Sequence, residues 1–288
     1  MHTGRNDDLR RSRTRRKVRL LPDASDESSG FRIHDNFEGF SQVDDVFCRS
    51  QYDPKIKSSK SERFYDMYRK PLADWRGTDG YQQHDYAFRN ATWHVADIFA
   101  ELREEDDRRD GFLDPLSLLK DGPEERIEFG SVEETTRIVK QAAKTVGADL
   151  VGVANTDSRW SYTELFSMQA KGPKPNNIDV GLGHVIVIGQ SMDNELLDTA
   201  PSALSGAATG MGYSQDALVL LTLSQFIQNL GYRAVPSMND SALAIPYAVQ
   251  AGLGEYAKHG LVITPEFGSS VRFGKIFTDM PLEADKPI

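Results

Sequence analysis

From Ser131 to the last residue, the chain alternates helix-period and strand-like apolar runs, each closed by Gly, Pro or Asn. This alternation is the feature that most limits the fold. A chain that switches between the two periods must pack helices against a sheet to bury both kinds of apolar face. Ser131-Val132-Glu133-Glu134 has the form of a capping box. Ile138, Ala142 and Val146 follow at helical spacing, and Gly147 is placed to stop the helix. Residues 149–154 and 184–189 read as buried strands. Residues 216–230 read as an apolar helix closed by Gly231, and 232–235 as a short strand. A helix over 241–251 contains Pro246, which implies a kink or a late start. Residues 261–264 and 271–277 read as further strands. The pattern predicts an α/β or α+β sandwich.

The chain upstream of Ser131 is different. Residues 1–30 are polar and charged, with Arg10, Arg11, Arg13, Arg15, Arg16, Lys17 and Arg19 in one run. Two Arg-Arg pairs invite a twin-arginine export reading, which also needs an apolar core behind them. Leu20 and Leu21 are followed at once by Pro22 and Asp23. The expectation is therefore a disordered basic tail on a cytoplasmic protein, exported only if the start is misplaced. Residues 31–130 form an irregular extension rich in Phe, Tyr and Trp. Most of these rings are expected in the core, and a minority to wall a cavity for a flat ligand. Residues 87–102 read as a helix with Ala91, Val95, Ile98, Phe99 and Leu102 on one face. Three regions result: a tail over 1–30, an extension over 31–130 and a core over 131–288.

Composition removes several functions. The formal net charge is −9 and the isoelectric point is about 5.2, which argues against a nucleic-acid partner. No apolar run is long enough to span a bilayer. The single cysteine, Cys48, excludes an internal disulfide and cannot by itself hold an iron–sulfur cluster. It reads as a buried structural thiol. The six histidines have no metal-ligand spacing. Gly181-Leu182-Gly183 precedes a strand instead of following one, so it is not a dinucleotide fingerprint. No Walker loop, nucleophile elbow or zinc-protease motif is present.

What remains is a C-terminal constellation of Tyr213, Asn239 and Arg272, read as lying in the punctuation between elements. Tyr213 follows Gly210-Met211-Gly212 and reads as the entry to the apolar helix, where glycines permit close backbone approach. The bland alternatives are ordinary. Tyr213 can pack a helix end, Asn239 can cap the next helix, and Arg272 can make a surface ion pair. Converging on one cavity, a phenol, an amide and a guanidinium can hold and deliver a proton. A free phenol titrates near 10. A nearby cation and an amide donor favour the ionised form and make the phenol a readier acid.

Several blocks in order give the chain a resemblance. They are Ala148-Asp149-Leu150-Val151-Gly152-Val153-Ala154, Arg159-Trp160-Ser161-Tyr162, Leu230-Gly231-Tyr232 and Asn239-Asp240. After these come Ile245-Pro246-Tyr247-Ala248-Val249-Gln250-Ala251-Gly252-Leu253-Gly254-Glu255, Gly260-Leu261-Val262-Ile263-Thr264-Pro265-Glu266-Phe267-Gly268, Val271-Arg272 and Thr278-Asp279. With these blocks the chain resembles the catalytic subunit of corrinoid-dependent reductive dehalogenases. Epoxyqueuosine reductases share the fold and cofactor, and a weaker form of Ala251-Gly252-Leu253-Gly254.

The resemblance implies a nitroreductase-like, cobalamin-binding core that replaces a halogen by hydrogen on an organohalide. It implies Tyr213 as the proton donor, polarised by Arg272 and Asn239, which lie at the separations the family expects. Ser237, Met238 and Gly268 are the candidate cofactor contacts. Family members also carry two [4Fe-4S] clusters, for which this chain has no ligands. The resemblance therefore implies a truncated enzyme, served by an electron-donor protein or by a missing C-terminal half. The competing readings are an epoxyqueuosine reductase-like step on tRNA and a non-catalytic remnant.

Overall fold

In a computed structural model, the structure describes residues 30–34, 36–68, 78–101, 125–168, 170–176 and 182–288. The basic tail anticipated over 1–30 lies almost wholly outside them. The first helices are α1 (Val46–Tyr52), α2 (Ser59–Tyr68), α3 (Gln83–Glu101) and α4 (Val132–Thr145). Next come β1 (Leu150–Asn155), β2 (Glu164–Ser167), β3 (Gly172–Pro175), β4 (His184–Ser191), α5 (Asn194–Leu197) and α6 (Ala203–Asn229). The last elements are β5 (Ala234–Ser237), α7 (Ala244–Gln250), β6 (Glu255–Tyr256), β7 (Val262–Ile263) and β8 (Val271–Thr278).

β1, β4, β8 and β5 form the central sheet in that order, and every neighbouring pair is antiparallel. An antiparallel sheet with helices on both faces is the α+β form of the expected sandwich. Because strand side chains alternate, β4 and β8 each present two sets of residues. Ile186, Ile188 and Ile276 join the core under α6. Val185, Val187, Phe273 and Phe277 join the core under α7. Long apolar stretches in β4 follow from this burial on both sides.

Local signals hold where they depend on near neighbours. Ser131 caps α4, its hydroxyl accepting from the Glu134 N–H at 3.2 Å, a bond worth about 1 kcal/mol. Gly147 has φ +111°, a conformation that ends the helix at little strain. Pro246 is the third residue of α7, where its missing N–H loses no helical bond, so the late start is the observed outcome. Cys48 is fully buried. β1 is an edge strand, and the chain after β8 closes it. Asp285 bonds both backbone groups of Val153 and accepts from Lys140 Nζ at 2.6 Å.

Three local expectations are overturned. The apolar helix starts at Ala203, so Tyr213 lies in the interior of α6 and not at its entry. Gly210 and Gly212 are helical residues. Arg272 likewise sits within strand β8 and not in a turn. In α3 the expected face is reversed: Val95 and Ile98 are each 42% exposed, while Tyr86, Trp93 and Ala96 are buried. The reason is tertiary. α3 packs along α6, where Trp93 Nε1 donates to the Gly206 carbonyl at 3.2 Å and Ser214 Oγ donates to the Thr92 carbonyl at 2.6 Å. Those contacts select a face that apolar spacing alone does not.

Candidate active site

Tyr213 is buried in α6, and two side chains hold its ring. The Trp93 indole stacks on it with centroids 4.7 Å apart and planes inclined by 28°. Arg272 brings its guanidinium carbon to 3.1 Å from the ring centroid. A cation over an aromatic face is attracted to its electron density, and the attraction grows when the site is dry. The two glycines before Tyr213 make room for these partners. A Cβ on Gly210 would come within 2.4 Å of Trp93, and one on Gly212 within 2.7 Å of the Arg272 stem. Their role is steric. The helix tolerates their weaker propensity because the missing side chains admit two large neighbours.

Asn239 meets Tyr213 at the other end. Its Nδ2 donates to the phenol oxygen at 2.5 Å. Asn239 is not the cap of α7, whose N-cap is Leu243, with no side-chain bond. Arg272 is not a surface ion pair either: its side chain is 11% exposed. The three residues named from sequence therefore come together. They do so with a division of labour: the amide touches the hydroxyl and the guanidinium covers the ring.

The loop that carries Asn239 is tied down by buried polar groups. Asp240 accepts from the Met238 N–H at 2.8 Å and from the Ser241 hydroxyl at 3.1 Å. The Ser237 hydroxyl donates to the Asp240 carbonyl at 2.7 Å. Lys275, wholly buried on β8, donates to the Met238 carbonyl. Burial pushes the Lys275 ammonium down to about 8, against the pull of Asp240 and Asp216. Ser237 and Met238 are thus buried and turned inward. Gly268 has φ +58° and open space where a side chain would stand.

Beside Tyr213 lies a cleft of about 510 Å³. Phe47, Tyr86 and Trp93 line it from the N-terminal region, and Pro201, Thr209 and Tyr213 from the core. That size and apolar character suit a small organic molecule.

Two further groups escaped the sequence reading. Trp93 was hidden because the helix face was assigned by apolar spacing. Asp216 was legible in principle: it is the only charged residue between Ala203 and Asn229. It is fully buried on α6, and Arg272 Nη2 lies 3.8 Å from its Oδ2. Burial pushes its carboxyl up to about 6, with Arg272 and Lys275 pulling the other way. Among the described residues, no group of His, Cys, Asp and Glu could hold a metal ion.

A family model described as reductive dehalogenase subunit matches residues 175–282. The tetrachloroethene reductive dehalogenase of Sulfurospirillum multivorans is 39% identical over 180 residues, covering 54% of this chain and 36% of that protein. The epoxyqueuosine reductase of Bacillus cereus is more distant, 29% identical over 182 residues, covering 54% of this chain and 48% of that protein. A solved reductive dehalogenase, for which a B12-dependent mechanism has been suggested, superposes with a TM-score of 0.63 at 17% identity. That superposition covers 88% of this chain and 32% of the other. The chain spans a little over a third of the length of its dehalogenase relatives. In sequence over part of its length, and in fold, the chain is similar to the reductive dehalogenases.

Proposed function

We propose that this chain supplies the proton-donating half of a reductive dehalogenase site. The observation that carries the reading is the setting of Tyr213. Its oxygen accepts from Asn239 at 2.5 Å, its ring lies 3.1 Å from the Arg272 guanidinium, and it borders an apolar cleft. Replacing a carbon–halogen bond by carbon–hydrogen takes two electrons and one proton and releases a halide. Tyr213 is the proton donor. Asn239 donates to the oxygen that gains charge as the proton leaves, and Arg272 favours a ring of rising electron density. Trp93 fixes the plane of the phenol, so its hydroxyl is aimed before substrate arrives. With a substrate seated against the apolar walls, the local dielectric at Tyr213 would fall and these interactions would strengthen.

A corrinoid, the cofactor implied by the resemblance, would supply the electrons at its cobalt. The cleft is the test of fit. At about 510 Å³ it suits a small organohalide. It does not also enclose a corrin ring and its appendages. Of the anticipated cofactor contacts, Ser237 and Met238 face inward, and only Gly268 is open. The cleft by itself accounts for the substrate and not for the macrocycle. The two iron–sulfur clusters of the family and an electron-donor protein belong to the same proposal. The tRNA-directed alternative is less favoured, because the epoxyqueuosine reductases are the more distant relatives and the chain is acidic overall.

The test is Tyr213→Phe in this chain reconstituted with corrinoid, a reductant and an organohalide. The ring contacts survive this change and the acid does not. Dehalogenation is expected to fall about 10²- to 10⁴-fold with the fold intact by circular dichroism. Undiminished turnover would remove Tyr213 from the role.

A further inference from the structure

Asp216 has no part in the reading above, yet it sits fully buried at the α6–β8 contact. It lies three residues after Tyr213, so both side chains leave α6 on the same face, toward β8. Arg272 on β8 spans the two. Its guanidinium carbon is 3.1 Å from the Tyr213 ring centroid, and its Nη2 is 3.8 Å from Asp216 Oδ2. The backbone is shaped for this arrangement from both sides. Gly212 on α6 leaves room for the Arg272 stem, whose Cδ would lie 2.7 Å from an added Cβ. Gly274 on β8 leaves room for the Asp216 carboxylate, whose Oδ1 would lie 2.5 Å from an added Cβ. Each element lacks a side chain where the other inserts its charged one.

The pair is also incompletely bonded. Both Asp216 carboxylate oxygens and Arg272 Nε are buried without a hydrogen-bond partner. So is Nε2 of Gln190, directly opposite Arg272 in the β4–β8 register. A carboxylate kept only for stability would be expected to satisfy its oxygens. A fully buried acid that faces a cation without closing on it leaves that cation able to serve a second group. Here the second group is the phenol ring.

We propose that Asp216 is a positioning residue that holds the Arg272 guanidinium against the Tyr213 ring. This rests on the reading of Tyr213 as the proton donor. Asp216 does not line the cleft and acts only through Arg272. The charged groups acting on it are Arg272 and Lys275, both from β8. Gly274 on β8 and Leu220 on α6, which meet at the same place as the Asp216 carboxylate, carry no charge.

The experiment follows the Arg272 Nε–H resonance by nitrogen-15 NMR in the full chain, assigned by its disappearance in Arg272→Lys. In the native chain the resonance should shift in one step as Asp216 titrates, near pH 6. In Asp216→Asn the step should vanish and the resonance should move toward that of a solvent-exposed arginine. A resonance indifferent to pH in the native chain, or a step that persists in Asp216→Asn, overturns the proposal. An absent native step refutes the proposal without any variant, so it remains refutable even if Asp216→Asn fails to fold. In the reconstituted enzyme, Asp216→Asn should lower kcat about tenfold to a hundredfold and leave KM unchanged. If Tyr213→Phe keeps full activity while the NMR step is present, the functional reading falls and the positioning of Arg272 stands. If Tyr213→Phe abolishes activity and the step is absent, the positioning falls alone.

Discussion

Among the described residues, the two faces of the central sheet differ in the buried polar atoms they leave unbonded. Under α7, the Ser237 hydroxyl, the Lys275 ammonium, the Tyr247 hydroxyl and the Gln250 amide each make a hydrogen bond. Under α6, Gln190, Asp216, Ser224 and Arg272 each keep a buried polar atom without a partner. One strand feeds both sides: β8 sends Lys275 to the saturated face and Arg272 to the unsaturated one. On the proposed reading, the difference separates a scaffold from a site. Satisfied networks fix a loop, here the one carrying Asn239. Unsatisfied groups retain the electrostatic reach that chemistry requires, and a protein tolerates them where function offsets the loss in stability.

The largest expected effect breaks the saturated face. Lys275→Met removes the cation near Asp240 and the donor to the Met238 carbonyl. A drop of about 3 kcal/mol in denaturant unfolding is expected above pH 8, where the burial cost of the ammonium has been relieved and the variant leaves the Met238 carbonyl without its donor. A variant as stable as the parent would mean that this face is not a locked network.

A smaller effect sharpens the contrast through pH. The Asp216 carboxyl is raised to about 6, so the native state binds its proton more tightly than the unfolded chain does. The corresponding stability is full below the unfolded value near 4 and is lost as pH rises through about 6. The loss amounts to roughly 2–3 kcal/mol. Asp216→Asn should flatten that part of the stability–pH curve. Lys275, lowered to about 8, acts in the other range: its burial opposes folding below 8 and ceases to do so as pH approaches the unfolded value. An acid-range slope that survives in Asp216→Asn would assign the titration to another group.

The smallest effect tests the fit between the two elements. Gly274→Ala places a Cβ about 2.5 Å from Asp216 Oδ1, which must give way. A loss of about 2 kcal/mol is expected from overpacking, read as a lower melting temperature. An unchanged melting temperature would show that the Asp216 carboxylate is not confined there.

The legible parts of the fold were those set within a few residues. The Ser131 cap, the stop at Gly147, the strands beginning near residues 150, 184 and 271, and the late start forced by Pro246 depend on near neighbours, and each is observed. Asn239 and Arg272 were legible as polar residues in ordered blocks, and Tyr213 was legible through the resemblance. The entry point of α6 was misread because Gly210 and Gly212 look like a helix breaker when read along the chain. In space they are sockets for Trp93 and Arg272. The buried face of α3 was misread for the same reason: Val95 and Ile98 follow the apolar spacing, but the packing of Trp93 against α6 decides the face.

By itself, then, the sequence determined the alternation of helix and strand, the single-cysteine chemistry and the identities of the phenol, amide and guanidinium. Each is a matter of residue type or of contacts within one or two turns. Only the tertiary structure decided that Asn239 reaches the hydroxyl while Arg272 covers the ring. It alone paired Asp216 with Arg272 across α6 and β8. Burial turns a lone acid and a lone base into a coupled pair, and burial is a property of what surrounds a residue rather than of what precedes it in the chain.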